Sequence, residues 1–291
     1  MLRLKSLPSL CVKKFIQSRF SSLPLRNASE GPHVHPHLLP SSAVAAYIYP
    51  GSRVLEMSNF MTGNELNLEI LSSLSSQLKY YDHNTAVDVV LFTARLDPDL
   101  EDGNTFSVGL DLLSSVQSRD DVIEKAQLLS YEISTLPIQS LVSFEGFTSG
   151  SAFGIFGGSK YRLATSNTIL QLTELREGLL PIGGCAFHLV NAHRSLASSK
   201  SISHNEENKV EAAKTAEEGL AFARYLAVSQ RKIESVELFA LKWVSHIVSQ
   251  ECYTTLCLAL ANTLAAKYAL HCTDVLSTYT LTYCSFEFSI P

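Results

Sequence analysis

Apolar positions recur along this chain at two different periods, and the alternation between them predicts its elements. "AVAAYIY" and "SRVLEMS" read as two short strands joined at Pro50-Gly51. In "NELNLEILSSLSSQLKYYDHN" the apolar positions Leu66, Leu68, Ile70, Leu71, Leu74 and Leu78 keep close to helical spacing, with Ser and Gln opposite. "VDVVLFTA", Val87 to Ala94, is a near-continuous apolar run of the kind buried on both faces of a sheet, and the acidic "RLDPDLEDGN" after it is a loop. "SRDDVIEKAQLLSYEIST" is a polar helix, with Asp120 and Asp121 suited to its N-terminus. "IQSLVSFEG" is a second buried strand, "YRLATSN" and "TILQLTE" are strand-like, and "LLPIGGCAFHLV" is a Gly-rich turn entering a helix. From Asn205 to about Leu270 the pattern is almost wholly helical. Strand, turn and helix recurring through the first two-thirds predict an α/β domain with a helical lobe appended.

Composition narrows the function classes. The 291 residues are 46% hydrophobic and 18% charged, with a formal net charge of −5, so nothing advertises a nucleic-acid surface. No uninterrupted apolar run reaches the roughly 18 residues of a membrane span; "YTTLCLALANTLAAKYAL" is broken by Thr, Asn and Lys. The cysteines Cys11, Cys185, Cys252, Cys257, Cys272 and Cys284 form no CxxC pair and read as reduced thiols of an intracellular compartment, with no metal site expected.

The start of the chain differs in kind. "MLRLKSLPSLCVKKFIQSRFSSLPLRN" carries Arg3, Lys5, Lys13, Lys14, Arg19 and Arg26 and no acid, the composition of a mitochondrial transit peptide, with a disordered basic arm as the alternative. His33, His35 and His37 follow on alternate positions between prolines, where a spacer is expected rather than a metal clip. The resulting organisation is a transit peptide over 1–28, a linker over 29–44, a core over 45–195, a helical lobe over 205–272 and an unassigned tail over 273–291. The mitochondrial matrix is the expected location.

Two stretches carry candidate chemistry. "FSVGLDL", Phe106 to Leu112, puts Ser107 and Gly109 between a strand and a helix, and "TSGSAFGIFGG" does the same after the next buried strand. In open α/β sheets ligands bind at such strand ends, and helix N-termini leave backbone N–H groups without partners. Two such turns brought together would aim two N–H groups at one point, as an oxyanion hole requires. For a single glycine turn, tight strand–helix packing is the better explanation; two such turns favour a site.

These residues resemble the enoyl-CoA hydratase/isomerase (crotonase) superfamily. "FSVGLDL" is similar to its A-G-x-D-L motif, and "FEGFTSGSAFGIFGGSKYRLATSNTILQLTELREGLLPIGG" to its second motif, closest to 3-hydroxyisobutyryl-CoA hydrolases. The likeness runs from about Tyr47 to Val248. It implies an α/β crotonase fold, a ββα spiral core with a C-terminal helical lobe, and self-association into trimers or hexamers. It also implies a coenzyme A thioester as substrate, with no further cofactor. By the same resemblance the backbone N–H groups of Leu110 and Ser151 would be the oxyanion donors. Glu174 would be the general acid/base, and Ser107, Gly109, Leu110, Asp111 and Gly150 would line the acyl-CoA, with Asp111 serving the following helix start.

The chain departs from that pattern in four places. The second carboxylate of the hydrolases falls on or beside Ile182, and that of the hydratases on Gly154. The triple glycine reads Gly150, Ser151, Ala152, and the proline expected before Glu174 is Thr173. Arg176 and Glu177 are charged where the family is apolar or small. Two functions are therefore expected: an acyl-CoA enzyme acting in amino-acid or fatty-acid catabolism, or a degenerate crotonase-fold protein with a structural or assembly role in a mitochondrial complex.

Overall fold

A computed structural model describes residues 43–49, 51–82, 84, 86–95, 104–112, 116–191 and 206–249. The expected transit peptide, nearly all of the linker with its three histidines, every cysteine except Cys185, and the tail lie outside the described residues.

The first sheet has six strands in the order β1 (Val44–Tyr49), β2 (Gly51–Met57), β3 (Val87–Ala94), β5 (Gln139–Phe144), β7 (Tyr161–Thr165) and β10 (His246–Val248). Only the β1–β2 hairpin is antiparallel in it. The second sheet has four short strands: β4 (Thr105–Ser107), β6 (Phe147–Ser149), β8 (Ile169–Gln171) and β9 (Ile233–Glu234). The chain alternates between the two. A strand of the first sheet, a strand of the second and then a helix make one turn: β3, β4 and α2 (Val116–Thr135), followed by β5, β6 and α3 (Gly150–Phe156). An earlier turn runs through β2 and α1 (Leu68–Asp82), where Leu66 alone bridges in parallel to Leu110 in place of a full strand. The last runs through β7 and β8 to a helical segment at 185–191. This is the expected ββα spiral.

Sequence pattern accounts for these elements. β3 is buried on both faces except at Asp88, as its Val, Leu and Phe run demands. In α1 the buried Ile70, Leu71, Leu74, Leu78 and Tyr81 form one stripe, and Asn67 Oδ1 accepts the Ile70 N–H as a cap. Between the sheets and helices an aromatic cluster fills the centre: Phe106 lies edge-on to Phe144 and Phe156 at 5.0 and 5.4 Å. Phe153 continues the cluster to Trp243 at 6.4 Å.

Two expectations change. α2 begins at Val116, so Asp120 and Asp121 stand one turn inside the helix rather than at its start. Residues 206–248 are helix-rich, through α4 (Glu206–Ser229) and α5 (Ser235–Ala240), but not wholly helical. Gln230 and Lys242 take left-handed φ values of 52° and 59° and end the two helices. β9 then pairs with β8, and β10 with β7. The joint is held by Arg162 of β7, whose guanidinium donates to the carbonyls of Trp243, Ser159 and Lys242 at 2.8, 3.0 and 3.5 Å. Ser245 adds a bond from its N–H to Arg162 O at 2.7 Å.

Candidate functional site

The two small-residue turns do meet. Gly109 has φ +117°, a conformation that strains any side chain. A Cβ there would lie 2.8 Å from Ser151 Oγ and 2.9 Å from Ser149 Oγ, so the start of α3 presses directly on the Gly109 α-carbon. Three serines surround this glycine. Its N–H donates to Ser107 Oγ at 3.1 Å. Ser149 Oγ caps α3 by accepting the Ala152 N–H at 3.3 Å, and stands 3.3 Å from Ser151 Oγ.

Backbone direction follows from the parallel bridge. Leu66 N–H donates to Gly109 O at 2.7 Å and Asp111 N–H to Leu66 O at 3.1 Å. Carbonyl 109 and N–H 111 thus both point at Leu66, so the N–H of Leu110 between them points the other way. Ser151 is the second residue of α3, where an N–H has no partner within its own helix. Asp111 stands five residues before α2, and its N–H joins the Leu66 segment.

Glu174 opens a 3-10 turn, Glu174–Glu177, that ends on Gly178 at φ +77°. Leu179 N–H donates to Glu174 O at 3.0 Å and closes the turn. Thr173 before it has φ −97°, well off the value a proline ring imposes. The turn carries the Glu174 side chain inward, to 4% exposure. A Cβ on Gly150 would meet both carboxylate oxygens at 2.7 Å. The sequence-named Gly109, Leu110, Gly150, Ser151 and Glu174 therefore lie around the first turn of α3. Burial, and then the Glu174 charge, push the thiol of buried Cys185 well above its ordinary pKa.

The positions that carry a second carboxylate in the family are closed. A Cβ on Gly154 would lie 2.5 Å from Cys185 N and 2.8 Å from Ile182 O, so no side chain fits. Ile182 is packed into the hydrophobic core. The Glu177 side chain is outside the described residues. Among the described residues no group of three His, Cys, Asp or Glu side chains could hold a metal ion. Ser149 was not named from the sequence, although a serine one residue before a helix is a legible capping signal. Buried Cys185 had no signal beyond its apolar surroundings.

Among the described residues no helix is long and apolar enough to cross a membrane. The small ribosomal subunit protein mS47 of Arabidopsis thaliana is 24% identical over 201 residues, covering 66% of this chain and 46% of that protein. The chain thus spans less than half the length of this curated relative. An enoyl-CoA hydratase from Mycobacterium avium subsp. paratuberculosis superposes with a TM-score of 0.61 at 18% identity, over 82% of this chain and 84% of that one. Human enoyl coenzyme A hydratase domain-containing protein 3 gives a TM-score of 0.60 at 17% identity, over 77% and 78%. At these identities the superpositions speak to fold alone. The enoyl-CoA hydratase/isomerase family model matches residues 52–285. By the extent of that match, and by the ββα spiral that carries it, this chain belongs to the enoyl-CoA hydratase/isomerase family.

Proposed function

We propose that this protein is a catalytically silent family member with an assembly role in a mitochondrial complex, the small ribosomal subunit being the first candidate. The observation that carries this reading is the Ser151 hydroxyl, seated 2.8 Å from the Cβ position of Gly109. It lies between the two turns whose N–H groups would have to bracket a thioester carbonyl. The closed positions at Gly154 and Ile182 leave Glu174 without a second family carboxylate. The likeness to a small ribosomal subunit protein supplies the kind of assembly.

Charge indicates how such docking would work. Of 23 basic residues six lie in the first 27, which hold no acid; the remaining 17 face 28 acids, a net charge of −11. A surface of that sign favours protein neighbours over a phosphate backbone. The basic start supports import into the mitochondrial matrix.

The test is sedimentation of tagged protein from mitochondrial lysate, together with turnover assays on short acyl-CoA thioesters. Co-migration with the small subunit and no turnover are expected. Protein that stays at the top of the gradient as a trimer or hexamer, and turns over 3-hydroxyisobutyryl-CoA, would sink the proposal.

The burial of Glu174 against Gly150 favours one other reading, a coenzyme A thioester hydrolase of the 3-hydroxyisobutyryl-CoA type. There Leu110 and Ser151 N–H groups would polarise the carbonyl while Ser107, Gly109, Asp111 and Gly150 line the thioester. Glu174 would take a proton from the attacking water, and no further cofactor is needed. On this reading Glu174→Gln lowers turnover by roughly two to four orders of magnitude with little effect on binding.

A further inference from the structure

We propose that the side chain of Ser151 is the specificity-determining element that bars acyl thioesters from this fold, and that removing it restores their binding. The inference rests on the reading of the site as catalytically silent. Ser151 is 3% exposed. Its hydroxyl oxygen lies against the Gly109 α-carbon on one side and 3.3 Å from Ser149 Oγ on the other. Ser149 is tied down as the cap of α3, its Oγ accepting the Ala152 N–H at 3.3 Å. The Gly109 turn is tied down too: its carbonyl is bonded to Leu66 and its N–H to Ser107.

A hydroxyl oxygen and a carbonyl oxygen have nearly the same radius. The Ser151 hydroxyl fills the side-chain space of Gly109, where the two turns meet. A thioester carbonyl would have to displace a buried, hydrogen-bonded group that has nowhere to go, leaving that group unsatisfied. The directions of the Leu110 and residue-151 N–H groups are set by the Leu66 bridge and by the start of α3, not by the Ser151 side chain. The block therefore lies in one side chain. Ser151→Gly removes the oxygen and the Cβ while leaving both donors in place.

The probe is butyryl-CoA, titrated calorimetrically into full-length wild-type, Ser151→Gly and Ser151→Ala proteins, with free coenzyme A as the control that lacks the carbonyl. Wild type is expected to give no saturable butyryl-CoA binding. Ser151→Gly should gain saturable butyryl-CoA binding, and Ser151→Ala should fall between. Affinity for free coenzyme A should be the same in all three. Because glycine in a short helix costs some stability, thermal melts accompany each titration, and Ser151→Ala carries the test if the glycine variant melts early. Folded variants that, like wild type, show no saturable butyryl-CoA binding would overturn the inference while leaving the assembly role standing. Wild type that binds butyryl-CoA as tightly as Ser151→Gly would overturn both.

Discussion

The Glu174 carboxylate sits directly on the α-carbon of Gly150, so closely that a Cβ there would be 2.7 Å from each of its oxygens. The glycine is small because an acid occupies its side-chain space. Gly150→Ala should force the buried carboxylate away and destabilise the protein by about 1–3 kcal/mol, the usual cost of overpacking. Gly178→Ala is the matched control. Its φ of +77° imposes backbone strain, but nothing lies within 4 Å of the added methyl. That variant should lose only about 1 kcal/mol. Urea midpoints of the two variants check the order.

Arg162 is a half-buried guanidinium that donates to the carbonyls of Ser159, Lys242 and Trp243. Burial lowers its pKa from the usual arginine value. Lysine carries a point charge where the three acceptors fit a planar fork, so Arg162→Lys should not substitute for it. A loss of about 1–2 kcal/mol is expected from the broken part-buried network. The loss should appear first as faster amide exchange in β10, which these bonds hold against β7.

His188 should make the protein acid-sensitive. Its ring is wedged against Gly157 and Gly184, and among the described residues its Nε2 is buried without a hydrogen-bond partner. Burial, and secondly the Arg162 charge, lower its pKa from 6.5 to about 4. The unfolded chain therefore binds the proton more readily than the folded one. The stability from neutral His188 is complete above pH 6.5 and is lost as pH falls toward about 4. The full shift corresponds to at most about 3 kcal/mol. His246, also lowered by burial, adds a smaller effect of the same sign. Denaturation midpoints across that window should fall less steeply in His188→Leu than in wild type; parallel slopes would refute the assignment.

How much of this was legible depended on the kind of interaction involved. β3 and α1 follow from local pattern, since Val87 to Ala94 can be buried only in a sheet and the Ile70-Leu74-Leu78 stripe only on a helix. The convergence of Gly109, Ser151 and Glu174 could be expected from resemblance alone, because they come from separate strand ends. What filled Gly109's side-chain space was not legible. By the resemblance Gly109 would line an acyl-CoA; its side-chain space is occupied by Ser149 and Ser151. Glycine reports that something is close without saying what. β10 was hidden for a related reason: "HIV" is too short to declare itself, and only its parallel pairing with Leu163–Thr165 of β7 makes it a strand.

The same joint decides where this protein can be cut. Trp243, 1% exposed, donates its indole N–H to Leu189 O and packs on Phe153 and Phe222. The chain downstream of α4 is thus a keystone set last into an arch rather than an annex built onto a finished house. A fragment ending at Ser229 would leave β7 an open edge, the Arg162 guanidinium without two of its three acceptors, and the aromatic cluster without its capping ring. A cut at Ser229 therefore falls inside one packed unit, which reaches at least to Val248.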